Sequence, residues 1–181
     1  MSGPLQGLHV LELCDETGSF AGKLLGDAGA DVVKVEPPGG ESSRHYPPFA
    51  GDVEDLNRSL YFWSRNTSKR SMAIDISVEQ GAALAAELMA CADVVLESAP
   101  PGTLAARGLG YDDVAARNPG VVYVLLASGV ACLLAMLAIM RWSRHPRRAH
   151  VARYLEDSVA GSGVGKAQRF LDEIAAFARE P

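Results

Sequence analysis

The chain has 181 residues, of which 48% are hydrophobic and 22% charged, and a net charge of −5. That length suits one α/β-sized domain with a small addition, and the acidic balance argues against nucleic acid as a partner of the whole chain. Cys14, Cys91 and Cys132 lack metal-ligand spacing and sit in apolar contexts, so they read as small buried hydrophobes in a reducing compartment. Without a basic–apolar–small leader at the N-terminus, the expected location is the cytoplasm.

Alternating strand and helix signals then follow in order. Leu8 to Leu13 (LHVLEL) and Val32 to Val35 are short apolar runs that predict strands buried on both faces. Between them, Leu24, Leu25 and Ala28 fall at helical spacing, and Gly29 stands where a helix ends in a left-handed residue. A strand–helix–strand unit of this kind closes most simply as a parallel pair. Glu41 to Leu60 is rich in Ser, Pro, Gly and charge and predicts a long surface loop, a kind of segment that often carries function. Leu60 to Trp63 starts a helix, Asn66 to Arg70 is a turn with Lys69 and Arg70 in solvent, and Met72 to Ile76 is a third strand. Ser77 is the expected N-cap of a helix over 78–91, with Gln80 completing a capping box and Ala82, Leu84, Ala85, Leu88 and Met89 on its apolar face. Val94 to Leu96 is a fourth strand, Tyr111 to Arg117 a short helix stopped by Asn118-Pro119, and Val121 to Leu126 a fifth strand. This alternation defines an α/β fold, a Rossmann-like open and mainly parallel sheet, followed by a helical C-terminal tail.

Several collinear blocks resemble one family. PLQGLHVLEL (4–13), AGKLLGDAGADVVKVEPPGG (21–40) with the following Arg44, NTSKRSMAIDI (66–76), ADVVLESAPPGTL (92–104) and GLGYDDVAARNPGVVYV (108–124) are similar, in that order, to the N-terminal part of the class III CoA-transferases. That family includes formyl-CoA transferase, carnitine CoA-transferase and α-methylacyl-CoA racemase. The resemblance implies residues 1–128 as the family's N-terminal α/β region and, less closely, 129–160 as a later family block of apolar helix, basic turn and strand. Residues 161–181 are then a linker and a short amphipathic helix.

By the same resemblance, the substrates are an acyl-CoA and an acceptor carboxylic acid, coenzyme A enters as the thioester, no metal is required, and a homodimer is the family's assembly. In the family a carboxylate attacks the thioester, and the freed CoA thiolate then re-attacks the mixed anhydride. The aspartate that does this belongs to a stretch without a counterpart after Ser128, so no residue here is assigned as nucleophile. CoA contacts carry over to the backbone of Ile74, Asp75 and Ile76 and to the loop around Ser98 and Arg107, with Arg44 serving the phosphates or capping its own loop. The chain departs from the family at Pro37, where a basic residue is usual, at Ser98-Ala99, which replace Asn-Phe, and at Arg107, offset by one position. Three readings follow: a CoA-transferase, truncated and of uncertain activity; a 2-methylacyl-CoA racemase-type enzyme; or a non-catalytic CoA-binding or membrane-tethered remnant.

Other motifs favour plainer readings. GSGVGK (161–166) lacks phosphate-loop spacing and reads as a linker, and the scattered His9, His45, His145 and His150 suggest no metal site. Residues 121–140 are apolar enough to span a bilayer and are followed by a basic flank, but their first six residues fit the fifth strand and the rest a core helix, which is the preferred reading. The basic run Arg141 to Arg153 reads as a solvated turn.

Overall fold

The computed structural model describes residues 3–126. The later block, the linker, the terminal helix, Cys132 and most of the apolar 121–140 run lie outside the described residues.

Five parallel strands form the sheet: β1 (His9–Leu13), β2 (Asp31–Glu36), β3 (Lys69–Ala73), β4 (Val94–Glu97) and β5 (Val122–Leu125), in the order β3-β2-β1-β4-β5. Helices α1 (Ser19–Asp27), α2 (Leu60–Asn66), α3 (Glu79–Cys91) and α4 (Tyr111–Arg117) make the connections. The chain builds leftward from β1 through β2 to β3, then crosses back to β4. Right-handed crossovers therefore put the helices of the two halves on opposite faces. α1 covers one face, where Val10, Val32, Val94, Leu96, Val122 and Val124 meet Ala21 and Leu25. α3 and α4 cover the other, where Leu11, Val35, Val95 and Tyr123 meet Ala85, Met89 and Val114. Successive strand residues point to opposite faces, so alternate positions fill two separate cores.

The expected α/β sheet is present, with differences that have local causes. β3 begins at Lys69, three residues before the predicted strand, because Lys69 pairs in register with Val32 and turns its side chain inward. It ends at Ala73, since Ile74 swings into the α3-side core. Ser77 does not cap α3: its hydroxyl and N–H both donate to Asp75 Oδ1, and Val78 takes the N-cap position without a side-chain bond. Leu84 is exposed, while Ala85 and Met89 carry the buried face. Of the described cysteines, Cys14 is buried but Cys91, on the last turn of α3, is exposed. Gly29 has the expected positive φ, at 100°. None of the described helices is long and apolar enough to cross a membrane, and residues 122–125 of the apolar run are strand β5.

Candidate functional site at the carboxyl edge of the sheet

The strand order reverses between β1 and β4. In open parallel sheets the crevice for a ligand lies outside the carboxyl ends of the strands at such a reversal, because the two crossovers leave toward opposite faces. Leu13↔Glu97 is the last paired position of β1 and β4. Two residues beyond it on β1, and one beyond it on β4, the chains are joined through the side chain of Ser98 instead. The Asp15 N–H donates to Ser98 Oγ at 2.9 Å, and the Ser98 hydroxyl donates back to Asp15 Oδ1 at 2.8 Å. Asp15 Oδ1 also accepts the Thr17 N–H at 2.9 Å, closing an Asx turn into α1. Partial burial opposes ionisation of Asp15, but the bonds from Ser98 and Thr17 outweigh it and hold the carboxyl below its usual range.

Beneath this edge lies a charged cluster. Strand periodicity places Glu12, Lys34 and Glu36 on the α1 side, continuing the face that Val10 and Val32 begin. Glu12 Oε1 accepts from Lys34 Nζ and Lys69 Nζ, both at 3.0 Å, and Oε2 lies 2.7 Å from Lys69 Nζ. Lys34 Nζ also reaches Cys14 O at 2.5 Å, Ser19 Oγ at 3.0 Å and Glu41 Oε2 at 2.7 Å. Lys69 donates to Ser19 O at 2.7 Å and Asn66 Oδ1 at 2.8 Å. Glu12 and Lys34 are at most 1% exposed. Two carboxylates and two ammoniums thus share one dry site, which is tolerable only because each charge is paired and hydrogen-bonded. Burial pushes the Lys69 ammonium pKa down, and Glu12 only partly restores it. For Lys34, burial is outweighed by Glu12 and Glu41, and its pKa rises. Room for the Glu12 carboxylate comes from Gly22 on α1: a Cβ there would stand 1.7 Å from Glu12 Oε2.

The segment after β2 is tied down at the same edge. Glu41 on Lys34 holds its root, and Glu36 accepts Arg44 Nε at 2.5 Å and Nη2 at 2.7 Å. The Arg44 guanidinium also lies 3.8 Å over the Phe62 ring, and its Nη1 donates to Leu56 O at 3.2 Å. Burial opposes ionisation of Glu36, yet Arg44, Ser71 and the Glu41 N–H hold its carboxyl at about 2. Ser59 caps α2 by accepting the Phe62 N–H at 3.1 Å, while its hydroxyl faces the carbonyls of Ser43 and Tyr46. The predicted long loop is therefore a strap with buried anchors at Glu41, Ser43 and Ser59.

The residues singled out in the sequence are distributed along this edge as follows. Ile74 is buried and donates its N–H to Glu36 O at 2.9 Å. Asp75 is half-buried, with its pKa lowered by the Ser77 bonds and, to a smaller extent, by Arg107 across the edge. Ile76 packs against the α3-side core. Arg107 is exposed and donates to Thr103 O at 3.0 Å, so most of its fork faces solvent beside Asp75. Ser98 stands at the fork of β1 and β4. Ile74 to Ile76, Ser98 and Arg107 thus share the carboxyl edge. Arg44 turns Nε and Nη2 to Glu36 and Nη1 to Leu56 O, within the strap. Lys69, expected in solvent, is buried on Glu12, whereas Arg70 is exposed and pairs with Asp31 at 2.6 Å. Asp15 and the Glu12–Lys34–Lys69–Glu41 cluster escaped the sequence reading. The available signal was the charge at alternate positions of two otherwise apolar strands.

The chain belongs to the family described as CoA-transferase family III, which it matches over residues 5–128. Among curated relatives, it is 40% identical over 126 residues to a probable fatty acyl-CoA transferase of Mycobacterium tuberculosis, covering 69% of this chain and 32% of that protein. It is 42% identical over 123 residues to the human succinyl-CoA:glutarate CoA-transferase, covering 66% of this chain and 27% of that protein. Among solved structures, a CAIB/BAIF family protein from Brucella suis superposes with a TM-score of 0.63 at 28% identity, covering 97% of this chain and 51% of that one. The chain spans about a third of the length of the curated relatives it matches.

Proposed function

We propose that this chain binds the coenzyme A portion of an acyl-CoA along the carboxyl edge of its sheet and serves CoA transfer between that thioester and a carboxylic acid. One observation carries the reading. The family match covers the whole described sheet, and the residues that the resemblance assigns to CoA follow β3 (Ile74 to Ile76) and β4 (Ser98 and Arg107), along its carboxyl edge. Ile74, Asp75 and Ile76 offer backbone groups, the loop that begins at Ser98 runs beside the fork, and Arg107 offers a solvent-facing guanidinium suited to phosphate. Arg44 contributes by holding the strap rather than by touching the ligand. Transfer is favoured over racemisation because the curated relatives matched over this region carry CoA-transferase names with succinyl-CoA, glutarate, mesaconate or oxalate as partners.

A second reading is that the chain holds CoA without turning it over. The resemblance assigns no residue of this chain to the attacking aspartate, so the experiment decides between transfer and holding. Incubation with succinyl-CoA and 14C-labelled glutarate, followed by separation of the thioesters, tests it. Label in glutaryl-CoA supports transfer. CoA binding at equilibrium without label in the thioester fraction leaves the holding reading and removes transfer.

A further inference from the structure

The crevice at the strand-order reversal has a closure of its own. Backbone pairing between β1 and β4 stops at Leu13↔Glu97. Beyond it one chain turns toward α1 and the other, through Pro100 and Pro101, toward the opposite face. Nothing in a parallel ladder holds two such diverging ends together. Here the Asp15 N–H and carboxylate take both roles of the Ser98 hydroxyl, at 2.9 and 2.8 Å. The backbone of Asp15 is itself fixed, since its carbonyl accepts the N–H groups of Gly18 and Ser19 at the start of α1. The Ser98–Asp15 pair therefore fastens the α1 N-terminus to the β4 exit.

We propose that Asp15 and Ser98 are a positioning pair that sets the width of the crevice mouth for the coenzyme A chain. This rests on the CoA-binding reading given above. The pair also sets direction. A carboxylate at the fork repels phosphate, so the uncharged pantetheine arm passes Asp15 while the nucleotide phosphates lie toward Arg107. Neither residue performs chemistry; each acts by holding the two loops that flank the ligand.

The structure supplies a matched control. At the opposite edge, the same two strands are joined by His9 and Asp93, with the His9 N–H donating to Asp93 Oδ2 at 2.9 Å and Nδ1 3.3 Å from the same oxygen. Removing Asp93 loosens β1 from β4 far from the crevice, whereas removing the Ser98 hydroxyl loosens them at it. The test is isothermal titration of the full chain with coenzyme A at 25 °C for wild type, Ser98→Ala, Ser98→Thr and Asp93→Ala, with folding checked by circular dichroism. Ser98→Ala is expected to weaken Kd roughly tenfold, the effect of about one net hydrogen bond. Ser98→Thr, which keeps the hydroxyl, should stay within about twofold, and Asp93→Ala should match wild type. If Ser98→Ala does not fold, Asp15→Asn replaces it, with a several-fold loss expected. Wild-type affinity in Ser98→Ala, or an equal loss in Asp93→Ala, overturns the positioning role while leaving CoA binding intact. Wild type that does not bind coenzyme A overturns the CoA-binding reading, and the pair's role falls with it.

Discussion

Replacing Gly22 by alanine pits two opposite effects against each other. In a helix interior, Gly→Ala ordinarily stabilises by about 1 kcal/mol, because alanine has less backbone freedom to lose. At Gly22 the new Cβ would stand 1.7 Å from Glu12 Oε2, 2.8 Å from Glu12 Cδ and 3.3 Å from Lys69 Cε. No relaxation of a methyl group absorbs such an overlap, so the carboxylate must leave its place. Glu12 is the shared partner of two buried ammoniums, and removing one member of a buried ion cluster costs about 3–5 kcal/mol. The net expectation is a loss of about 2–4 kcal/mol, read as a lower urea midpoint with an unchanged slope. A Gly22→Ala chain as stable as wild type, or more so, would refute the placement of Glu12 against α1.

Three further outcomes follow from the same edge. Lys34→Met should destabilise by about 3–5 kcal/mol, since it takes the ammonium from the Glu41 carboxylate and leaves Glu12 with Lys69 alone, and denaturant melts check it. Glu36 ionises at about 2 when folded, against 4.5 for the free group, so the folded state binds fewer protons between those values. Its stabilisation is complete above about pH 5 and is lost as pH falls through 4.5 toward 2. Urea midpoints measured from pH 7 to 3 should fall accordingly, and Arg44→Met should flatten that part of the profile. Gly81→Ala sets a Cβ 1.9 Å from Asp75 O, pushing α3 off the 74–76 segment. Expected are a stability loss of about 1–3 kcal/mol and weaker coenzyme A binding by titration.

The fold was legible because its signals are local and repeated. Val32 to Val35, Val94 to Leu96 and Tyr111 to Arg117 each combine a run of the right period with a breaker, and each lies where expected. Where the structure differs, a side-chain contact outside the local pattern decides. Lys69 reads as a turn residue until Glu12, 57 positions away, draws it inward. Ser77 has the chemistry of an N-cap, but the Asp75 carboxylate two residues earlier competes for its hydroxyl and wins. The charged cluster was hidden in plain alternation: Glu12, Lys34 and Glu36 interrupt apolar strands on one face, and a strict period-two count would have placed them together. Asp15 carried no local signal, because its partner Ser98 is 83 residues away. Arg44 shows the limit of a resemblance. The position was marked, but whether it faces a phosphate or Glu36 depends on how the strap folds.

The most direct test of coenzyme A binding is a thermal melt of the purified chain with and without millimolar coenzyme A. Ligand at about 100 times its dissociation constant adds roughly 2.7 kcal/mol to the folded state, which for a chain of this size raises the midpoint by about 5–10 °C. A cooperative transition that moves upward by that amount is the expected result. A cooperative transition whose midpoint ignores coenzyme A would contradict the proposed site.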